Sequence, residues 1–238
     1  MRRIALFLLL FALFFVLFLF FRTVPFQRDE QPFPPPGVRV FDGDTAELPS
    51  GGGVARVRYL LVDTPELHHP SRPAEELGEE ARLLNSRLLA SGPLRLEYDS
   101  ERTDRYGRTL AYVFAGGESS ELFLNEILVR EGLAQPLIIP PNRRYAGRIL
   151  KAFEEARAGQ RGLWNRAEGR VFTSAQVWSE APLLAGSFLT LFMTIEKAEL
   201  KGRRILLREG RVTVVAYKSP ETESLLSLRE GDRIRAVG

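Results

Sequence analysis

The stretch from Arg56 to Glu66 limits the choice of fold more than any other part of the chain. Val57, Tyr59 and Leu61 alternate with Arg58, Leu60 and Val62, which is the two-residue period of a strand. Pro65 stops that strand and biases Thr64 toward an extended backbone. Arg58, Asp63 and Glu66 are thereby held around one strand end, a cation and two acids where the chain leaves its sheet. Such a grouping looks like a phosphate and metal site, although taken alone it reads more readily as a strand with a polar exit.

The neighbouring sequence supplies a framework. Gly37 to Leu48 reads as two strand pieces broken by Asp42-Gly43-Asp44-Thr45, and Pro49 to Gly53 reads as a turn. A loop through His68, His69, Pro70 and Pro73 leads to a helix over about Glu79 to Leu89, with Ala81, Leu84 and Leu88 inward. Leu94 to Tyr98 and Thr109 to Phe114 alternate as strands. Helices follow over Leu122 to Arg130, with Leu124, Ile127 and Leu128 inward, and over about Arg144 to Ala158, with Tyr145, Ile149, Phe153 and Ala156 on one face. This order predicts an α+β domain: a five-stranded OB-fold barrel with three helices. Trp164, after the last helix, is expected to pack and close the domain.

Three segments stand out together: Asp42-Gly43-Asp44-Thr45, Val62-Asp63-Thr64-Pro65-Glu66 and Asp104-Arg105-Tyr106-Gly107-Arg108. As an ordered set in one barrel-like pattern they resemble the staphylococcal-nuclease-like, or thermonuclease, family. The resemblance runs from about Val38 to Trp164 and includes Leu110-Ala111-Tyr112-Val113, Asn125-Glu126 and Gly132-Leu133-Ala134. It implies cleavage of DNA and RNA, with Ca²⁺ as cofactor and 3′-phosphates as products. Asp44 and Asp63 are hard oxygen donors of the kind Ca²⁺ prefers. By resemblance the carbonyl of Thr64 joins them and Asp42 supports the metal shell. Arg58 and Arg108 can each offer a two-pronged fork to a phosphate, and Glu66, by resemblance, activates or orients the attacking water. Arg105 and Tyr106 match positions that contact the terminal phosphate and nucleotide. Leu137 and Ile139 stand roughly where the family has two base-lining tyrosines, an aliphatic departure that bears on base preference. His68 and His69 are read as solvated loop residues, since Ca²⁺ favours oxygen.

Outside this domain the sequence speaks of location. The 238-residue chain begins Met1-Arg2-Arg3 and then runs uncharged and apolar from Ile4 to Phe21, just long enough for a bilayer core. No small-residue cleavage site follows it, so residues 1–22 are expected to be an uncleaved transmembrane signal anchor. Arg2 and Arg3 favour a cytoplasmic N-terminus and a periplasmic or extracellular domain; Arg22 and Arg28 weigh against that orientation. Residues 23–36 form a proline-rich linker, and residues 37–165 the nuclease-like domain. The net charge of +3 is compatible with a polyanionic partner, and its basic side is nearly all arginine, which suits phosphate recognition. Lys151, Lys197, Lys201 and Lys218 are the four lysines. The absence of cysteine excludes disulfides, zinc thiolates and thiol catalysis.

After a connector at 166–186, residues 187–238 form a small β-rich module, OB-like in pattern. Its strand-like segments are Phe188 to Ile195, Arg204 to Leu207, Val212 to Tyr217 and one opening at Gly231. Arg203, Arg204, Arg208, Arg211 and Lys218 give it a basic character. It reads either as an accessory single-strand-binding barrel or as a small packing module with solvated arginines. The expected partners are DNA and RNA, preferably single-stranded, and a membrane through the N-terminal helix; no protein partner is expected. The competing class is a membrane-tethered nucleic-acid-binding protein that keeps the barrel without turnover.

Overall fold

Alternating segments punctuated by turn residues pair into a meander. The computed structural model describes residues 35–70, 73–117 and 120–238. In it β1 (Arg39–Val40), β2 (Thr45–Ser50) and β3 (Gly53–Tyr59) are successive antiparallel neighbours. Gly51 and Gly52 both have positive φ, 57° and 86°, the conformation a two-residue hairpin turn demands of its central pair. The turn fixes the register, and the register places Thr45 opposite Arg58. The acidic turn before β2 is thus brought beside the arginine of β3.

The strand expected to run unbroken to Val62 is interrupted. β3 ends at Tyr59, and β4 (Leu61–Asp63) leaves the sheet to pair with β8 (Gln135–Leu137). The expected alternation of faces therefore fails: Leu60, Leu61 and Val62 are all buried. Leu61 has φ +66°, a left-handed backbone that a non-glycine residue adopts only when its surroundings enforce it. Those surroundings are polar. Arg58 Nη1 donates to the carbonyls of Tyr59 (2.9 Å) and Val62 (2.7 Å), and Asn125 Nδ2 donates to the Leu60 carbonyl (2.8 Å). Every carbonyl freed by the break finds a partner, as buried backbone must.

β5 (Leu94–Glu97) and β6 (Thr109–Ala115) complete a five-strand path in the order β1-β2-β3-β6-β5, with β7 (Leu122–Phe123) on the end of β6. The β3–β6 pairing is parallel and the rest antiparallel. This is an OB-fold-like α+β arrangement. Three helices pack on it: α1 (Gly78–Leu89), α2 (Leu124–Arg130) and α3 (Ala146–Ala158). The inward faces shift slightly from those expected. On α1 the buried stripe is Ala81, Asn85 and Leu89, with Leu84 and Leu88 half-buried beside it; on α2 Val129 is buried and Ile127 only partly. Tyr112, Phe114, Phe123 and Tyr145 form an aromatic cluster between sheet and α3, Tyr112 meeting Tyr145 edge-on at 4.7 Å. Each such buried ring contributes about 1.5–3 kcal/mol by removal from water.

The segment expected as a connector is structured. It contains α4 (Leu163–Glu168), β9 (Val171–Thr173), α5 (Ser174–Ser179) and α6 (Ala181–Leu184). The described residues thus contain six α-helices, three beyond those expected for the barrel. Thr173 and Gln176 form a reciprocal capping box at the start of α5, which explains where that helix begins. β10 (Thr190–Thr194) pairs with β9 in parallel and with β14 (Arg233–Val237) in antiparallel. A second small sheet has the order β11 (Lys197–Lys201), β12 (Arg204–Glu209), β13 (Val212–Tyr217), and a 3-10 turn over Glu223–Ser227 precedes β14. Leu191, Met193, Ile195, Ile205 and Leu207 fill the space between the two sheets. β11 was not foreseen, because its Lys-Ala-Glu-Leu-Lys sequence carries little apolar alternation. Trp164 packs edge-on between Phe153 and Phe188 (5.0 and 5.4 Å), and so joins α3 to the C-terminal strands.

The anchor expected at residues 1–22, and the linker apart from its last two residues, lie outside the described residues. Among the described residues no helix is long and apolar enough to cross a membrane.

Candidate active site

The site is assembled where three local devices converge. In the first, Asp42 Oδ1 accepts from the Asp44 amide at 2.9 Å, the self-bonding turn that Asp-x-Asp favours. Gly43 is required at its centre: a Cβ there would stand 2.6 Å from Thr64 Cγ2 and 2.7 Å from Ala81 Cβ. The acidic turn can press onto the Thr64 loop only because residue 43 has no side chain.

The second device is the chain leaving β4. The Thr64 amide and hydroxyl both donate to Asp44 Oδ2, at 2.7 and 3.0 Å, and Thr45 Oγ1 donates to Asp44 Oδ1 at 3.1 Å. Arg58 lies against both acids, Nη1 3.2 Å from Asp44 Oδ2 and Nη2 2.6 Å from Asp63 Oδ1. Buried among carboxylates, Arg58 has its pKa raised: desolvation opposes the charge, but Asp44, Asp63 and Asp42 outweigh it. The same crowding acts in reverse on Asp42. Burial first, then Asp44 and Glu66, push its carboxyl up to about 7, against the pull of the Asp44 amide and Arg58. Carboxylates held together at such a cost mark a place where positive charge is wanted. Glu66 sits at the end of this loop, its Oε1 accepting from the His68 amide at 3.1 Å and its own amide donating to Glu75 at 3.0 Å. It stands in the field of both Asp42 and Asp63.

The third device is the turn Asp104 to Arg108. Asp104 accepts from the amides of Tyr106 and Arg108 (2.9 Å each) and from Arg108 Nε at 2.7 Å. Burial works against its charge, but these hydrogen bonds outweigh it and hold the carboxyl below the usual range. Arg108 is thus gripped at Nε, which leaves its two terminal nitrogens to project. Arg105 Nη2 meets the Tyr106 hydroxyl at 2.5 Å, and Tyr106 is 68 % exposed.

Arg58, Arg105, Tyr106 and Arg108 share one cleft of about 870 Å³ with Leu137 and Ile139. β8 carries Leu137 there because it pairs opposite Leu61. The structure therefore gathers the expected site residues in two groups that meet at Arg58: Asp42, Asp44, Asp63, Thr64 and Glu66 around the loop, and the other six along the cleft. Sequence reasoning missed one support, Asn85, and quoted another, Asn125, within the resemblance without giving it a role. Asn85, fully buried on α1, accepts from the Tyr59 hydroxyl (2.9 Å) and donates to the Asp42 carbonyl (3.2 Å). Asn125 holds the Leu60 carbonyl and accepts from the Val113 amide at 3.0 Å. The available signal was an asparagine at an apolar helical position, between Ala81 and Leu89 in one case and beside Leu124 in the other.

The oxygens of Asp44, Asp63 and the Thr64 carbonyl make a hard donor set suited to a calcium-like ion. Among the described residues no three acidic or histidine side chains enclose such a site by themselves, so two carboxylates and a carbonyl would leave its remaining positions to water. The crowding of Asp44 and Glu66 around Asp42 suits a cation there.

Comparison with known proteins agrees with this geometry. The model of the family described as staphylococcal nuclease homologue matches residues 56–166. The thermonucleases of Staphylococcus hyicus and Staphylococcus intermedius are 41 % and 42 % identical over 128 residues, which is 54 % of this chain and 73 % and 74 % of theirs. The SPbeta prophage-derived endonuclease YokF of Bacillus subtilis (strain 168) is 40 % identical over 130 residues, 54 % of this chain and 43 % of that protein. The chain thus spans less than half the length of YokF, and the similarity leaves its own N- and C-terminal segments unmatched. Within those bounds, the chain belongs to the staphylococcal nuclease family of phosphodiester-hydrolysing nucleases.

Proposed function

We propose that the protein is a Ca²⁺-dependent nuclease that hydrolyses DNA and RNA, preferably single-stranded, and leaves 3′-phosphates. The observation that carries this reading is the convergence of Arg58 and Arg108 on one cleft, each fixed by a carboxylate, beside the Asp44–Asp63–Thr64 loop. Phosphodiester cleavage gathers negative charge on the phosphoryl oxygens, and guanidinium groups already oriented stabilise it without reorganising. Nη1 of Arg58 is tied to two backbone carbonyls and Nη2 to Asp63, which fixes the plane of the guanidinium. Glu66 takes a proton from water; the water oxygen bonds to phosphorus as the P–O5′ bond breaks, and the 5′-oxygen leaves as a hydroxyl after protonation. A Ca²⁺ held by Asp44, Asp63 and the Thr64 carbonyl would supply a fixed charge for the phosphoryl group.

The test follows single-stranded DNA cleavage by the full chain with Ca²⁺, with a chelator, and in Glu66→Gln and Arg58→Ala. Loss with the chelator and a fall of about a hundredfold or more in both variants, the size of one lost transition-state contact, supports the reading. Salt-sensitive DNA binding without cleavage would replace it with the tethered-receptor alternative. We also propose that the domain is membrane-anchored and faces the periplasm or exterior, on the strength of Met1-Arg2-Arg3 before the apolar run Ile4 to Phe21. Membrane fractionation and protease accessibility with Arg2 and Arg3 reversed to Glu test that orientation.

A further inference from the structure

The cleft has a second wall that the family match does not cover. Besides Leu137 and Ile139 it is lined by Lys201, Arg203, Arg204 and Tyr217 of the C-terminal sheet, beyond residue 166, where the match ends. We propose that this wall is a nucleic-acid subsite: it holds the backbone phosphates and stacks one base of a single strand whose scissile phosphate lies at Arg58 and Arg108. The proposal rests on the nuclease reading for what enters the cleft, though not for the binding itself.

The sheet's register makes the wall a designed row. Lys201 pairs opposite Arg204, and Arg204 opposite Tyr217, so the three side chains share one face. The adjacent row contains Ile205, which points to the other side and is fully buried in the module's core. Lys201, Arg204 and Tyr217 are exposed, Tyr217 at 44 %. At the usual strand spacing the row spans about 10 Å, enough to follow a backbone past more than one phosphate. Among the described residues no carboxylate pairs with Arg203 or Arg204.

The wall is also moored to the catalytic domain. Arg203 Nη1 donates to the Pro140 carbonyl at 3.1 Å, immediately after Ile139, and Arg143 forms an ion pair with Glu221. On the near wall two aliphatic residues offer a base an apolar surface but no ring. Tyr217 adds a ring to the same cleft, and an aromatic face accepts any base. Charge and stacking together are what sequence-tolerant single-strand binding requires.

The experiment uses the full chain and a fluorescein-labelled, roughly twelve-nucleotide single-stranded DNA, followed by anisotropy in chelator so that nothing is cleaved. A dinucleotide carrying a 3′-phosphate competes for the catalytic end. Tyr217→Ala is expected to lower the twelve-mer to dinucleotide affinity ratio about tenfold, in line with loss of one stacked base, and Tyr217→Phe to restore it. Lys201→Ala with Arg204→Ala is expected to reduce the slope of log affinity against log salt by about 1.4, two single-strand phosphates' worth. An unchanged ratio and slope, or equal loss for both ligands, overturns the subsite. If the full chain cleaves nothing with Ca²⁺ while these shifts appear, the subsite stands and the nuclease reading falls.

Discussion

At the scale of single residues, the site depends on groups that never touch a substrate. Asn125 carries one hydrogen bond to the Leu60 carbonyl and one from the Val113 amide, both buried. Asn125→Ala leaves two backbone groups unpaired at about 1–3 kcal/mol each. Urea unfolding should therefore show a loss of about 2–6 kcal/mol, and a loss well under 1 kcal/mol would mean that the β3–β4 break is held by Arg58 alone. Gly43 acts by absence. Gly43→Ala drives a methyl into Thr64 and Ala81, and overpacking of that kind costs about 1–3 kcal/mol. If cleavage is Ca²⁺-dependent as proposed, with Thr64 beside the ion, the variant should need markedly more Ca²⁺ for half-maximal cleavage, read from a Ca²⁺ titration of activity. An unaltered titration would remove Thr64 from the ion's surroundings.

At the scale of elements, the cleft is shaped by how loops are pinned to helix starts. Asp99 accepts from Tyr112 Oη at 2.6 Å, from the amides of Arg143 and Arg144 at 2.8 and 3.0 Å, and from the Ser100 amide at 2.9 Å. One carboxylate thus ties β6 to the approach of α3. Burial opposes its charge, but the bonds from Arg144, Tyr112, Ser100 and Arg143 prevail and hold its pKa below the usual value. A carboxyl lowered on folding stabilises above its unfolded pKa, and that contribution disappears as pH falls through the folded value. Asp99→Asn should therefore cost about 1 kcal/mol near neutrality, a figure kept small because the group is partly solvated. The gap between variant and parent should close below about pH 4. A gap that widens in acid would show that Asp99 is not charged in the folded state.

At the scale of the whole molecule, the C-terminal strands are part of the nuclease body. Ala156, Leu163, Trp164, Ala167 and Phe188 make one cluster that joins α3 and α4 to the strand-bearing segment. Glu76 adds polar bonds across the same junction, accepting from Arg170 Nη1 at 2.5 Å and the Phe188 amide at 3.1 Å. Phe188→Ala should cost about 3–5 kcal/mol, the range for emptying a buried ring, and should lower the urea midpoint of barrel and C-terminal sheets together. Two separate transitions, with only the C-terminal sheets weakened, would show that the modules are energetically independent.

Much of this was written in the linear chain, for reasons of local physics. Alternation, Pro65, the Gly51-Gly52 turn and helical spacing are short-range signals, so the strands β1 to β3, β5 and β6 and the helices α1 to α3 were legible to within a few residues. The same holds for the three polar motifs, whose spacing carried the likeness to nucleases and named the residues that the structure gathers. Tertiary contact decided the rest. Whether Leu61 continues a strand or breaks it depends on Asn125 and on the far end of the Arg58 side chain. Whether Asn85 is a flaw in a helix face or the support of the Asp42 turn depends on Tyr59, twenty-six residues away. The pairing of β4 with β8, the parallel strand β9 and the meeting of Lys201, Arg204 and Tyr217 with Leu137 in one cleft arise from contacts between segments distant in sequence, and such contacts leave no periodic trace in the residues that make them.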